Sequence, residues 1–264
     1  MTTRTRPSTS SGRGRAGGGG RGLTRPQVRD VLSMLYPEQQ IGLWGLGDNT
    51  LTQVKDASRR QNHGVYSGTG VTLNQPGLNN GACALFDGAA GFANVYSAQL
   101  AADFNNQELT VGILVKMLSS TPWTDGNQHY VLRFGVDANN FISLSKGVTN
   151  NQLIADYRAG GTVKQASSTG NADLDWFLFV MTVSKAADQL KAYKWQMDKP
   201  GGQIGSTATS LGTWAGTLAA TLCCLGASIT TPSNVHSGWL MGGALWTKAI
   251  PEQDLQYAAA QIFA

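Results

Sequence analysis

The chain has 264 residues, of which 41% are hydrophobic and only 14% charged, against about a quarter charged in ordinary globular proteins. Twenty basic and 16 acidic residues give a formal net charge of +4, and glutamate is confined to Glu38, Glu108 and Glu252. A charge-rich disordered chain is excluded by this composition, and no apolar run reaches the length of a membrane-spanning helix.

The charge is unevenly placed. Residues 1–25 contain Arg4, Arg6, Arg13, Arg15, Arg21 and Arg25 and no acid, so that segment carries +6; the remaining 14 bases and 16 acids leave the rest at −2. Ser, Thr, Gly and Arg fill most of the first 22 positions, including the run Gly17 to Gly20, and such a segment buries too little apolar area to fold alone. It reads as a flexible basic arm over 1–23, with no apolar core of a secretory signal peptide. Docking on an acidic protein surface, contact with phosphates and an inert leader all remain open for it. No aromatic residue precedes Tyr36, so the stacking platforms of single-strand binders are missing and nucleic acid is disfavoured.

A short helix is expected next. Thr24-Arg25-Pro26-Gln27 fits a capping box with Thr24 as N-cap. Val28, Val31, Leu32 and Leu35 follow at helical spacing before Pro37 stops the pattern. A helix this short is marginal in isolation, so its apolar stripe must pack either on the rest of the chain or on a partner. Residues 24–40 are therefore a helix and linker, and 41–264 the body.

The body reads as short strands and turns. Candidate strands lie at 42–46, 82–86, 91–95, 109–118, 129–136, 141–146, 152–158, 176–184, 189–196, 217–226 and 238–247. Asp48-Asn49 and Asp87-Gly88 are turn signals, and the second predicts that 91–95 returns antiparallel to 82–86. The run 176–184 is almost wholly apolar, as in a central strand covered on both faces. A terminal helix fits 251–263, with Pro251 at its start and Glu252 and Asp254 in its first turn, where acids suit the helix dipole. Many short strands without crossover helices describe an all-β sandwich or barrel.

Chemistry-bearing motifs are scarce. Cys83, Cys223 and Cys224 form no disulfide framework, and neighbours on a strand point to opposite faces, so 223 and 224 cannot share one metal. His63, His129 and His236 lack metal-ligand spacing; His63 and His236 fall in turns and read as solvated. Trp123 lies in the polar loop Ser119 to Gln128 beside Asp125 and Asn127, a candidate glycan or interface contact, with packing into the core as the alternative. No cofactor or metal is expected.

The body resembles the laminin-G-like members of the concanavalin A-like lectin/glucanase superfamily. The resemblance rests on motifs in the family's order: Leu43-Trp44, then Asp56-Ala57-Ser58 with Asn62 and Gly64, then Phe86-Asp87-Gly88, Gly91-Phe92-Ala93 and Leu109-Thr110-Val111. Asp175-Trp176 with Val180-Met181-Thr182, the run Ser237 to Trp246 and Ile250 to Leu255 complete it. Arg59 replaces a glycine of the first turn, and no histidine follows Trp176. The resemblance implies a two-sheet antiparallel jelly roll over about residues 41–260. Calcium binding is a family possibility, with Asp56, Asn62 and Asp87 as the oxygens to inspect.

The glucanase E-x-D-x-x-E pattern cannot be drawn with three scattered glutamates, and glycosidases need two carboxylates across a cleft. The expected function is therefore non-enzymatic. Domains of this compact type recur in tailed-bacteriophage particles. The first expectation is a virion structural protein assembled in a host cytoplasm, a capsid decoration or head- or tail-attached display protein. It would be anchored to other virion proteins through residues 1–36, with Arg4, Arg6, Arg13, Arg15, Arg21, Arg25 and the stripe Val28, Val31, Leu32 and Leu35 as the docking residues. The alternative is a carbohydrate-binding module of an adhesin, tail fibre or exported protein, taking host or environmental glycans. A homo-oligomer is left open.

Overall fold

A computed structural model describes residues 25–47 and 52–264. Arg4, Arg6, Arg13, Arg15, Arg21 and the expected cap Thr24 lie outside the described residues, as does the Asp48-Asn49 turn.

The first helix, α1 (Val28–Met34), begins later than the capping pattern suggests. Gln27 is its N-cap in an extended conformation, and its side chain makes no capping bond. Val28, Val31 and Leu32 are buried and Leu35 half-buried, packed on the chain's own body. This corrects the partner-docking expectation for the stripe: full burial of each aliphatic side chain stabilises by about 1.5–3 kcal/mol, and the body collects it. Two side-chain bonds fix the end of the helix, from Gln40 Nε2 to the Leu32 carbonyl (3.0 Å) and from Trp246 Nε1 to the Leu35 carbonyl (2.7 Å).

Fifteen strands follow or interleave with three further helices. They are β1 (Gln40–Trp44), β2 (Val65–Tyr66), β3 (Val71–Pro76), β4 (Ala82–Asp87) and β5 (Ala93–Asn94). After α2 (Ala98–Asp103) come β6 (Glu108–Met117), α3 (Thr121–Thr124), β7 (His129–Gly135), β8 (Phe141–Lys146), β9 (Leu153–Ala159) and β10 (Thr162–Ser168). The chain closes with β11 (Phe177–Ser184), β12 (Gln189–Gln196), β13 (Lys199–Ala208), β14 (Cys223–Leu225), β15 (Ser237–Trp246) and α4 (Glu252–Phe263).

Two antiparallel sheets form a sandwich. The eight-stranded sheet runs β13-β12-β11-β6-β15-β4-β3, with β1 on the far half of β15; the seven-stranded sheet runs β10-β9-β8-β7-β14-β5-β2. Alternate side chains of both sheets meet in one apolar interior that includes Trp44, Phe86, Phe134, Ile142, Tyr157, Phe179 and Leu245. The other face of the eight-stranded sheet is also apolar. Leu114, Leu178, Val180, Trp195 and Trp246 lie there beneath α1 and α4. The wholly apolar run 176–184 thus becomes β11, in mid-sheet and covered on both sides. A bulge in β15 puts Gly242 at φ +64, where a Cβ would stand 3.0 Å from Val28, so glycine there lets α1 settle on the sheet.

The expected hairpin at Asp87-Gly88 does not form. Strand β4 pairs with β3 and β15, whereas β5 belongs to the other sheet. The Asp87 carboxylate accepts from the N–H groups of Ala89, Ala90 and Gly91 (2.8, 2.9 and 3.1 Å), which builds a wide turn that carries the chain across the sandwich.

Candidate functional site

The outer face of the seven-stranded sheet differs from that of its partner. Neither α1 nor α4 packs on it; both lie on the eight-stranded sheet. On β7, β8 and β9 the sequences HYVLRFG, FISLSK and LIADYRA alternate. Leu132, Phe134, Ile142, Leu144, Ala155 and Tyr157 point inward, so Arg133, Phe141, Ser143, Asp156 and Arg158 point outward.

The strand register lines these residues up across the sheet. Gln165 pairs with Asp156, Asp156 with Ser143, Ser143 with Arg133, Arg133 with Cys224, and Cys224 with Asn94. Side chains directly opposite on one face are close neighbours, and this row interacts. Gln165 Nε2 donates to Asp156 Oδ1 at 2.8 Å, and Ser143 Oγ approaches Asp156 Oδ2 at 3.5 Å. Beside the row, Phe141 is flanked by two guanidiniums, with Cζ of Arg133 4.2 Å and of Arg158 5.1 Å from the ring centroid. Burial pushes the Asp156 carboxyl above its usual range, against the bonds from Gln165 and Ser143 and the field of the arginines. Burial likewise lowers the Arg133 guanidinium. On the other side of the row Tyr130 pairs with Ser145.

This arrangement presents Gln165, Arg133, Arg158 and Asn94 at the surface, over Ser143, Asp156, Tyr130 and Phe141, which are buried. Asp156 is the only carboxylate that the described strands place on this face, so the face lacks the carboxylate pair used by glycosidases. A cavity of about 810 Å³ lies elsewhere, on the helix-covered side, between α1, residues 77–80 and Trp176; its wall includes Arg25, where the described residues resume.

The residues singled out in the 119–128 loop serve the structure. Trp123 is 0% exposed. It sits in α3, packs at 6.3 Å on Phe177 and donates from Nε1 to the Asp173 carbonyl at 2.9 Å. Its place as a glycan contact is therefore corrected: the indole is buried in the core, while Asp125 and Asn127 follow the short helix and stay exposed. Asp125 accepts from Asn127 N (2.9 Å) and Lys146 Nζ (3.2 Å) and meets the His129 ring at 2.7 Å. Burial raises its pKa, but the bonds from Asn127, His129 and Lys146 outweigh that and bring it to about 2. The Asn127 carbonyl accepts from the buried Lys146 at 2.9 Å. Asp125 thus joins the buried His129 and Lys146 in an ionic knot at the surface, while Asn127 contributes only its backbone.

The oxygens considered for calcium are likewise occupied. Asp56 accepts from Leu43 N, Ser58 N, Ser58 Oγ and Asn62 N, each at 2.7 Å. Asn62 bonds the Ile41 carbonyl and the Ser97 hydroxyl (2.8 and 2.6 Å), and Asp87 caps its turn. No cluster of three or more His, Cys, Asp or Glu suited to a metal occurs among the described residues. His236, expected in solvent, is fully buried beside Phe86, and burial lowers its pKa to about 3. The three cysteines are free and buried, Cys223 in the interior and Cys224 in the outer row.

Comparison with known proteins places the architecture. No family model matches the chain, and no curated protein does. Solved structures do match. One described as a botulinum neurotoxin serotype D binding domain aligns with TM-score 0.59 at 14% identity, over 85% of this chain and 52% of that one. A second, of the serotype D ligand binding domain in complex with N-acetylneuraminic acid, gives TM-score 0.50 at 11% identity, over 85% and 51%. A third, described by the dependence of botulinum neurotoxin type C cell entry on two ganglioside molecules, gives 0.54 at 10%, over 87% and 53%. The fold is a concanavalin A-like β-sandwich. This chain spans about half the length of those structures, so their described ligands are not assigned to the matched half.

The outward row went unread in the sequence although its signal was present. The alternation in β7, β8 and β9 marks the strands, and its polar phase marks the outward residues, but only the register shows which of them stand side by side.

Proposed function

We propose that this chain is a non-catalytic carbohydrate-binding module whose ligand lies on the outer face of the seven-stranded sheet. The observation that carries this reading is the row Gln165, Asp156, Ser143, Arg133 and Asn94, a line of hydrogen-bonding side chains in register on a sheet face that neither terminal helix covers. Sugars offer rings of hydroxyl donors and acceptors with apolar faces. Gln165 and Arg133, members of the row that reach the surface, suit the hydroxyls. The likeness to binding domains described with a sialic acid or gangliosides supports the ligand class, within the limits of half-length coverage.

In the virion setting expected from the sequence, such a module would serve host attachment. Anchoring through residues 1–36 would then fall to the arginine segment, because the stripe of α1 is used within the chain.

A glycan array probed with the whole chain tests the reading. Binding to at least one glycan class is expected, weakened by Gln165→Ala at an exposed position and by Asn94→Ala, which also gives up the bonds of Asn94 to Ala220 O and Tyr96 N and is therefore checked by a thermal melt. No binding at millimolar sugar rejects the reading, and binding that ignores both substitutions moves the site off this face.

A further inference from the structure

On the glycan-binding reading just given, we infer that the preferred ligand is anionic, a glycan bearing a carboxylate or sulfate held by Arg133 and Arg158. Phe141 pairs directly with Arg158 across β8 and β9, and Arg133 reaches the same ring from β7. Two like charges are thus drawn to one aromatic surface. Guanidiniums so placed ordinarily share a carboxylate. Among the described residues, no carboxylate oxygen comes within 4.0 Å of either guanidinium.

Their hydrogen bonds go instead to backbone carbonyls of the β7–β8 turn. Arg158 Nη1 donates to Ala138 O at 3.0 Å, and Arg133 Nη2 approaches Asp137 O at 3.4 Å. The Nε of each is buried without a partner. The acids nearby act on the arginines only at longer range, because their oxygens are held by other donors. Asp156 is taken up by Gln165 and Ser143, while Asp137 accepts from Asn139 N (2.7 Å) and Asn140 Nδ2 (3.1 Å). The result is a pair of half-buried guanidiniums on one ring with no carboxylate in bonding distance, and partial burial strengthens their field. The planar fork of arginine matches the two oxygens of a carboxylate or sulfate. A neutral sugar would add no anion within bonding distance of either guanidinium.

The test is calorimetric titration of the whole chain with glucuronic acid and glucose 6-sulfate, with glucose as the neutral control and inorganic sulfate as the bare anion. The acidic sugars are expected to bind at least about tenfold more tightly than glucose, less so at high salt. Arg133→Gln and Arg158→Gln should each remove most of that preference, and Arg158→Lys should restore only part because it keeps the charge without the fork. Thermal melts of the three variants confirm that they are folded. Equal affinity for glucose and the acidic sugars overturns the anion inference and leaves the glycan reading standing. Binding of none of the sugars overturns both. Inorganic sulfate held as tightly as glucose 6-sulfate also overturns the inference, since the sugar then contributes nothing.

Discussion

The two sheets bury the same kind of interior but treat their outer faces differently. On the eight-stranded sheet the outward residues are Leu114, Leu178, Val180, Trp195 and Trp246, and two helices from opposite ends of the chain roof them. On the seven-stranded sheet the outward residues are Asp156, Ser143, Arg133, Arg158 and Phe141, and neither helix covers them. An apolar face must be covered, so its residues are committed to stability. The polar face carries no helix, and although Ser143, Asp156 and Phe141 are themselves buried among their neighbours, Arg133, Arg158 and Gln165 reach the surface; the binding proposal follows from that asymmetry.

The sharpest way to break the contrast is to remove an aromatic from each face. Trp246→Ala should cost about 3–5 kcal/mol, because the indole is buried under α1 and bonded to the Leu35 carbonyl. Phe141 is buried too, but under two guanidiniums and not under a helix, so Phe141→Ala should cost less, about 3 kcal/mol or below. Urea denaturation of both variants measures the difference. Equal losses would show that the open face is as structural as the covered one.

Trp123→Ala comes next, with an expected loss of about 3 kcal/mol. The variant should keep any sugar affinity at temperatures where it remains folded, because the indole faces Phe177 and the Asp173 carbonyl. Loss of binding from a fully folded variant would return Trp123 to the site.

Acid should unfold the chain in two separable stages. His236 has its pKa depressed from 6.5 to about 3 by burial, so the unfolded chain takes up a proton that the folded chain refuses. Stability from this source is complete above pH 6.5 and falls as the pH drops from 6.5 toward 3. Asp125 and Asp173 are both lowered from 3.8 to about 2, and the stability they contribute is lost only below 3.8. At Asp173 burial acts the other way and is outweighed by the bonds from Lys194, Lys199 and Gln196. Melting temperatures from pH 7 to 4.5 should decline in the parent and stay nearly level in His236→Phe. Parallel curves would place the loss on another group.

Much of the fold was legible because periodicity reports burial directly. The 109–118, 141–146, 176–184 and 189–196 runs all became strands of nearly those bounds. Four strands escaped, the two-residue edge strand β2 and three more whose own residues do not ask for them. β10 (TVKQASS) and β13 (KPGGQIGSTA) are polar, and β13 holds a proline and three glycines; they are edge strands ordered by pairing with β9 and β12. β3 is likewise a half-exposed edge, on β4. The motif Asp56-Ala57-Ser58 with Asn62 was visible, but its meaning was structural, since its oxygens bind the backbone of β1 and its own turn. The outward row could be assembled only from the register, which decides that Asp156 faces Ser143 and Ser143 faces Arg133.

The smallest expected effect is the finest test of the open face. The Asp156 carboxyl is raised by burial, so as the pH rises above 3.8 the unfolded chain ionises before the folded one and stability declines toward neutrality. Asparagine removes that cost and keeps the geometry: its carbonyl can accept from Gln165, and its amide can donate to Ser143 Oγ. Asp156→Asn should therefore be neutral, or stabilising by less than about 1 kcal/mol, at pH 7. Its gain over the parent should vanish at pH 3. If the anion inference holds, the variant should also bind acidic sugars at least as well, because a negative neighbour of the two arginines has been removed. A loss above about 1 kcal/mol at pH 7 would mean that Asp156 holds the arginines in place as their counter-ion, and the face would then be an internally balanced charge network and not a receptor for an outside anion.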